Sequence, residues 1–384
     1  MVLLSAALIV RDESDVLADC LDSIRDVVDE IVVVDTGSVD ESIEIARSFG
    51  ARVLHHSWRD DFAESRNIAL DAALGEWILY IDADERLSRG SRADVERLLM
   101  NAQEVAFRVL LRPDLQSTPY LEYRLWRSDP RIRFQGKIHE KVTPAIAEVA
   151  VADRRPITDC DLLLTHVGYE GDQDYKHRRN LPLLRAQLER EPDNLFNQHH
   201  LSRVLRGLGE NEEAARVLEG AVELARRRPE DELGVLSFTD LIRLRRECGE
   251  SVDALLAEAR HLYPMNKLLW WIEATVGISA GRYLDALVLL DALLAVDLVL
   301  LPTEGPAYDA RIFGEYAHEA RGVCLFRLGR YVEAVEAFRQ ALLANPTYLP
   351  YRAKLTLAMR HAGGGSDGGA AMSSESGTRA GCSE

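Results

Sequence analysis

Three carboxylates stand together in Asp82-Ala83-Asp84-Glu85, directly after the unbroken apolar run 77–81. The run predicts a central strand, and ligands of open α/β sheets bind beyond the carboxyl ends of such strands. In extended backbone, residues two apart point the same way, so Asp82 and Asp84 present two carboxylates on one side. Hard oxygens at this spacing suit Mg2+ or Mn2+ shared with a substrate phosphate. The plain alternative is a solvated acidic loop before a helix, since the bare Asp-x-Asp string is common. Asp35 ends the apolar run 31–34 in the same manner. It reads either as a turn-forming Asp beside Thr36-Gly37-Ser38 or as an acceptor for a nucleobase N–H or a ribose hydroxyl. Arg11, Asp12 and Glu13 follow the strand-like run 2–10 in a similar place.

A helix over 60–74 carries a conflict. Phe62, Ala69 and Ala73 form one apolar stripe, and Ala63, Leu70 and Leu74 the next. Arg66 and Asn67 interrupt both on the face that should be buried. A buried guanidinium needs a partner: either a strand-end Asp in a structural ion pair, or an anionic ligand such as a diphosphate. The segment 131–142 reads as a strand. Ile132, Phe134, Ile138 and Val142 lie on one face, and Arg131, Arg133, Lys137, His139 and Lys141 on the other. Glu140 then falls among apolar neighbours, where a carboxylate gains the raised pKa of a general base. A bulge at Gly136 would flip the register and turn His139 inward instead. His166, after Leu162-Leu163-Leu164, is either a metal ligand or a satisfied core histidine.

The elements that must position these groups alternate between strand and helix for about the first 170 residues, which predicts an α/β layer fold. Strands are expected at 2–10, 31–34, 51–54, 76–81 and 161–166, with extended segments near 104–111, 120–126 and 131–143. Helices are expected at 15–25, from the Ser38/Glu41 capping-box spacing to about Gly50, from Asp60 to Gly75, and at 91–100. From about Gly171 the pattern is helical and repetitive. Gly209, Gly249, Gly281 and Gly329 each precede an alanine by five residues: Ala214, Ala254, Ala286 and Ala334. Twelve residues before those alanines stand Ser202, Ile242, Ala274 and Gly322. The pattern looks like tetratricopeptide repeats, in which small residues let paired helices approach. A Gly/Ser/Ala-rich tail over 362–384 cannot bury a core.

The chain has 384 residues and a formal net charge of −17, which argues against a nucleic-acid binder. Its five cysteines (Cys20, Cys160, Cys248, Cys324 and Cys382) are odd in number and never form a CxxC pair, as expected of a reducing cytoplasm. Asp285, Asp291 and Asp297 interrupt the most apolar later stretch, so no transmembrane segment is expected.

Six ordered strings resemble family 2 glycosyltransferases of the GT-A fold, in particular the bacterial peptide- and protein-glycosylating branch with tetratricopeptide repeats behind the catalytic domain. They are Ile9-Val10-Arg11-Asp12-Glu13, Val32-Val33-Val34-Asp35-Thr36-Gly37-Ser38-Val39-Asp40, Asp61-Phe62-Ala63-Glu64-Ser65-Arg66-Asn67, Gly75-Glu76-Trp77-Ile78-Leu79-Tyr80-Ile81-Asp82-Ala83-Asp84-Glu85, Gly136-Lys137-Ile138-His139-Glu140 and His166-Val167-Gly168-Tyr169. Asp12 stands where this family usually has Asn.

The resemblance implies an α/β GT-A domain over 1–170, with a Rossmann-like mixed sheet, and an all-α repeat domain over 171–361. It implies an inverting, metal-dependent hexosyltransferase that uses a UDP-sugar and Mn2+ or Mg2+. Asp35 and Arg66 would contact the donor nucleotide, Glu13 its ribose or base, and Asp82 the ribose and metal-bound water, with Arg11 and Asn67 nearby. Asp84 would bind the cation, completed by His166. Glu140, with His139 beside it, is the expected base. The expected partners are the nucleotide-sugar donor and a peptide or protein acceptor held by the repeats, with a homodimer allowed. Deleting residues 192–384 is expected to spare donor hydrolysis. The competing readings are transfer to a surface polysaccharide or lipid-linked glycan, and a repeat scaffold with an inactive nucleotide-sugar domain.

Overall fold

The computed structural model describes residues 2–167, 173–301 and 307–363. The motif residues Gly168 and Tyr169, and the tail from 364 on, lie outside them. Among the described residues there are two compact units. One runs to Leu269 and takes in those of 297–310; the other holds 270–296 and those from Arg311 on.

Eight strands form the sheet of the first unit among the described residues. They are β1 (Leu4–Val10), β2 (Glu30–Asp35), β3 (Arg52–His55), β4 (Trp77–Tyr80), β5 (Glu85–Arg89), β6 (Ala106–Arg112), β7 (Tyr120–Arg127) and β8 (Ile157–His166). Their order is β3-β2-β1-β4-β7-β6-β8-β5. The first four are parallel, so their carboxyl ends open on one edge. Beyond them, β7 runs antiparallel to β4 and β6, and β8 runs parallel to β6 and antiparallel to β5. Five helices cover the sheet: α1 (Ser14–Ile24), α2 (Ser42–Ser48), α3 (Phe62–Ala72), α4 (Arg92–Leu99) and α5 (Thr143–Asp153). On one face Leu17, Leu21 and Ile24 of α1 pack with Leu4, Leu8, Val33 and Trp77. On the other, Ala63, Ala69 and Leu70 of α3, with Ile146 and Val149 of α5, pack with Ala7, Val32, Val34 and Ile78. Strands covered on both faces read as continuous apolar runs, which is why they stand out in the sequence.

Four local expectations change. The Ser38 hydroxyl accepts from the Asp12 N–H rather than capping a helix, and α2 begins only at Ser42. Asp61, not Asp60, caps α3 by accepting from the Glu64 N–H at 2.9 Å. Residues 131–142 form no strand. Only Gln135 and Lys141 pair, closing a tight loop with Gly136 at φ +100° and His139 at φ +50°. Glu85–Arg89 is a strand and Thr143–Asp153 a helix, neither of which the sequence pattern announces.

The helices that follow are α6 (Gln173–Arg190), α7 (Leu195–Gly207), α8 (Asn211–Arg227), α9 (Gly234–Glu247) and α10 (Asp253–Leu262), all in the first unit. The second holds most of α11 (Lys267–Ser279), with α12 (Tyr283–Leu294), α13 (Glu315–Arg327), α14 (Tyr331–Ala344) and α15 (Leu349–Gly363). Gly329, at φ +75°, ends α13 in the left-handed conformation that frees its neighbours to bond the last carbonyls. A Cβ on Gly322 would meet the Phe338 ring at 2.6 Å, so only glycine admits α14 this close. Ala214 and Ala286 are buried like Ala334. Ala254 is exposed, a departure from the repeat pattern.

Candidate active site

The parallel strands deliver Glu13, Asp35 and Asp82 to one edge, with Asp84 at the end of the loop into β5. Arg66 is buried in α3, 9% exposed. Its Nη1 donates to Asp82 Oδ1 at 2.9 Å and its Nε donates to Glu140. Arg124 of β7 continues the row. It lies 3.6 Å from Asp82 Oδ2 and grips both oxygens of Glu85 at 2.9 and 3.2 Å. The result is an alternating series: Glu140, Arg66, Asp82, Arg124, Glu85. Tyr80 sits between the two guanidiniums, each 4.3 Å from its ring centre, and its hydroxyl donates to Asp82 at 3.0 Å. Burial opposes ionisation of Asp82, but Arg66 and Arg124 outweigh it and hold the carboxyl down at about 2. Burial likewise disfavours the Arg66 charge, and Asp82 and Glu140 more than restore it.

This ladder has a pH signature. A carboxyl near 2 in the folded chain and 3.8 in the ordinary case stabilises the fold fully above about pH 4 and loses that contribution as pH falls toward 2. The stability gap between wild type and Asp82→Asn should therefore be constant at neutral pH and close in acid. Urea unfolding from pH 2 to pH 7 measures it, and a gap that widens in acid would contradict the ladder.

Asp84 takes no part in the ladder. Its Oδ2 lies 3.0 Å from His166 Nε2, at the last position of β8. Burial works against a charged imidazole there, but the Asp84 carboxylate raises the His166 pKa above its usual value. Burial, with Asp84 and Asp82 adding to it, pushes Glu13 up to about 7. The crowding of these carboxylates makes the patch resist a further negative charge.

The other expected residues divide. Asp35 is 4% exposed and accepts from the Ser38 and Gly37 N–H groups at 3.0 and 3.2 Å, with His55 at 3.3 Å, so the turn-forming role is present. Arg11 is exposed, 3.9 Å from Asp12. Asp12 has φ +54°, a region that Asn and Asp enter more readily than most residues. Asn67 turns away from the strand edge. Its Nδ2 donates to the Phe134 carbonyl at 3.0 Å and its Oδ1 accepts the Phe134 N–H at 2.9 Å. The side chain thus clamps the Phe134 backbone from both sides. Asn67→Ala should cost about 1–3 kcal/mol of stability, since it strands two backbone groups; chemical denaturation checks this.

Glu140 is not among apolar neighbours as the strand pattern predicts, because the loop points it at Arg66. His139 faces the other way. Its ring lies 4.1 Å from that of His200 and 5.2 Å from Phe196, and burial, with Lys141 and His199, lowers its pKa to about 4. It does not join the carboxylates. Sequence reasoning missed Arg124, Glu85 and Tyr80. The signal was present in Glu85 as a third carboxylate of one string, and in Arg124 preceding the buried Leu125 and Trp126.

Residues 5–144 match the family model Glycosyl transferase family 2, and residues 315–348 match Tetratricopeptide repeat. The chain carries a family 2 glycosyltransferase domain, with a tetratricopeptide repeat in its helical region. The matched stretch holds Glu13, Asp35, Arg66, Asp82, Asp84 and Glu140, but not His166. A TPR repeat-containing protein of Synechococcus elongatus is 39% identical over 196 residues, 49% of this chain and 48% of that protein. The SPbeta prophage-derived glycosyltransferase SunS of Bacillus subtilis is 26% identical over 228 residues, 57% of this chain and 53% of that protein. The chain thus spans about half the length of these curated relatives. Among solved structures, S. aureus TarS 1–349 in complex with UDP-GlcNAc superposes with a TM-score of 0.40 at 15% identity, over 65% of this chain and 92% of that one. Glucosyl-3-phosphoglycerate synthase from Mycobacterium tuberculosis, in complex with Mn2+, UDP and glucosyl-3-phosphoglycerate, gives 0.36 at 19% identity, over 49% and 80%.

Proposed function

We propose that this protein is an inverting, metal-dependent glycosyltransferase. It moves a sugar from a UDP-linked donor to a peptide or protein side chain, through the oxygen of Ser or Thr or the sulfur of Cys. The observation that carries the reading is Asp84. It follows a buried parallel strand inside a family 2 domain and faces His166, while its neighbour Asp82 is held by two guanidiniums. The glycosyltransferase SunS among the relatives supports the class of activity.

Asp84 and His166 offer one hard oxygen and one imidazole nitrogen. Among the described residues no group of three or more His, Cys, Asp or Glu is arranged to hold a metal ion. These two side chains would hold a Mn2+ or Mg2+ beside the strand edge. When bound, the cation supplies Lewis-acid stabilisation of the charge growing on the departing nucleoside diphosphate. Arg66 lies beside the same edge and orients the anionic donor. Glu13, Asp35 and Arg11 line the ends of β1 and β2, where the nucleoside lies. Glu140 receives the acceptor proton as the new bond to the anomeric carbon forms and the bond to the phosphate oxygen breaks. That single displacement inverts the anomeric centre.

A placed base contributes ~10²–10⁴-fold, so Glu140→Gln should lower turnover by about that factor with donor affinity nearly intact. Loss of donor affinity instead makes Glu140 a binding residue. A screen of nucleotide sugars for Mn2+-dependent thermal stabilisation names the donor. The repeats support a peptide acceptor by analogy of fold; peptide arrays against glycan acceptors separate this from transfer to a polysaccharide or lipid-linked glycan. Calorimetry with donor and metal separates both from an inactive scaffold. No helix among the described residues is long and apolar enough to cross a membrane, and the proposed setting is the cytoplasm. The proposed domains remain the α/β part to residue 170 and the helical part over 171–361.

A further inference from the structure

The loop between Gln135 and Lys141 bears the proposed base but has little structure of its own. Two backbone bonds between its ends, at 2.9 and 3.0 Å, close it, and the Lys137 carbonyl accepts from the Phe62 N–H at 3.0 Å. That ties one side of the loop to the start of α3. The other side meets helices. Ile138 is 2% exposed and buries its side chain among Leu183 and Leu184 of α6, Leu201, Val204 and Leu205 of α7, and Ala214 of α8. His139, at a positive φ, is packed against Phe196 and His200 of α7. Gly136 faces Gln187 of α6 so closely that a Cβ would come within 3.3 Å of its Nε2.

We infer that Ile138 is a positioning residue through which α6–α8 hold Glu140 against Arg66. The inference rests on the reading of Glu140 as the base. The first helices of the repeat region are then part of the catalytic unit, not only a surface for an acceptor. This reverses the expected outcome of a deletion from residue 192. Such a cut removes Leu201, Val204, Leu205 and Ala214 from around Ile138 and releases the loop, so donor hydrolysis is lost along with transfer. A small displacement suffices, since a shift of about 1 Å in a reacting group lowers rates on the order of 10²-fold.

The test uses the full-length chain with Ile138→Ala, Leu205→Ala and the milder Ile138→Val. Phe338→Leu in α14 serves as a control for general loss of stability. In Ile138→Ala and Leu205→Ala, amides of 135–141 should exchange with solvent about tenfold faster or more, while those of β1, β2 and β4 keep wild-type rates. Ile138→Val should fall between, and Phe338→Leu should leave 135–141 unchanged. The fall in Tm caused by Glu140→Gln should shrink by about half or more in the Ile138→Ala background. Mn2+-dependent UDP release from the donor found in the nucleotide-sugar screen should drop about 10²-fold in kcat with KM for donor held. Unchanged exchange in 135–141, or Tm losses that simply add, overturns the inference. If exchange and Tm behave as expected but wild type releases no UDP from any nucleotide sugar, the glycosyltransferase reading falls and the positioning role stands.

Discussion

Arg66→Met should destabilise the protein by about 3–5 kcal/mol, the range for breaking a buried ion pair from one side. Glu140 is 8% exposed at its side chain, and Asp82 is half-buried beside it. Removing the guanidinium takes this partner from Glu140 and leaves Asp82 with Arg124 and the Tyr80 hydroxyl. Methionine fills much of the volume, so the loss measures charge rather than a cavity. Arg66→Lys should recover only part, because one ammonium cannot reproduce the fork that reaches Asp82 from Nη1 and Glu140 from Nε. Urea unfolding at neutral pH gives the numbers. A loss below about 1 kcal/mol would mean that Arg66 is not the keystone of the ladder and belongs to ligand binding alone.

The second large effect is on activity. Asp84→Ala should lower metal-dependent transfer by about 10³-fold or more, because stabilisation of the leaving diphosphate by a cation is worth several kcal/mol. Stability should change little, since Asp84 stands outside the ladder. The contrast with Arg66 is the informative part: one substitution removes the fold's support and leaves the chemistry's ligand, and the other does the reverse. UDP release measured with Mn2+ and with chelator, beside a thermal scan of each variant, separates the two. Undiminished transfer by Asp84→Ala under chelation removes the metal from the account.

The sequence is most legible where burial writes a simple pattern. The continuous apolar runs of β1, β2 and β4 mark strands covered on both faces, and the carboxylates after them stand on one edge of the sheet. Arg66 is visible as a charge on a face that had to be buried, and it pairs there with Asp82 and Glu140. The segment that bears Glu140 and His139 takes neither expected strand register, for a physical reason. The period-two pattern of 131–142 imitates a strand, but Gly136 and His139 both adopt positive φ and fold the segment into a loop. Glu85 and Arg124 each stand out locally, but their pairing does not, because the partners lie 39 residues apart. Asn67 was legible as anomalous but not as a clamp, because its partner is a backbone group and backbone carries no sequence signal.

The central claim is that Asp84, with His166, holds a divalent cation against the donor's diphosphate. Titration calorimetry of UDP into the full-length protein, with MnCl2 and then with chelator, addresses it directly. The account predicts binding that requires Mn2+ in the wild type and is lost in Asp84→Ala with the fold intact. UDP binding of equal strength with and without the metal, or unaltered in the variant, would contradict it.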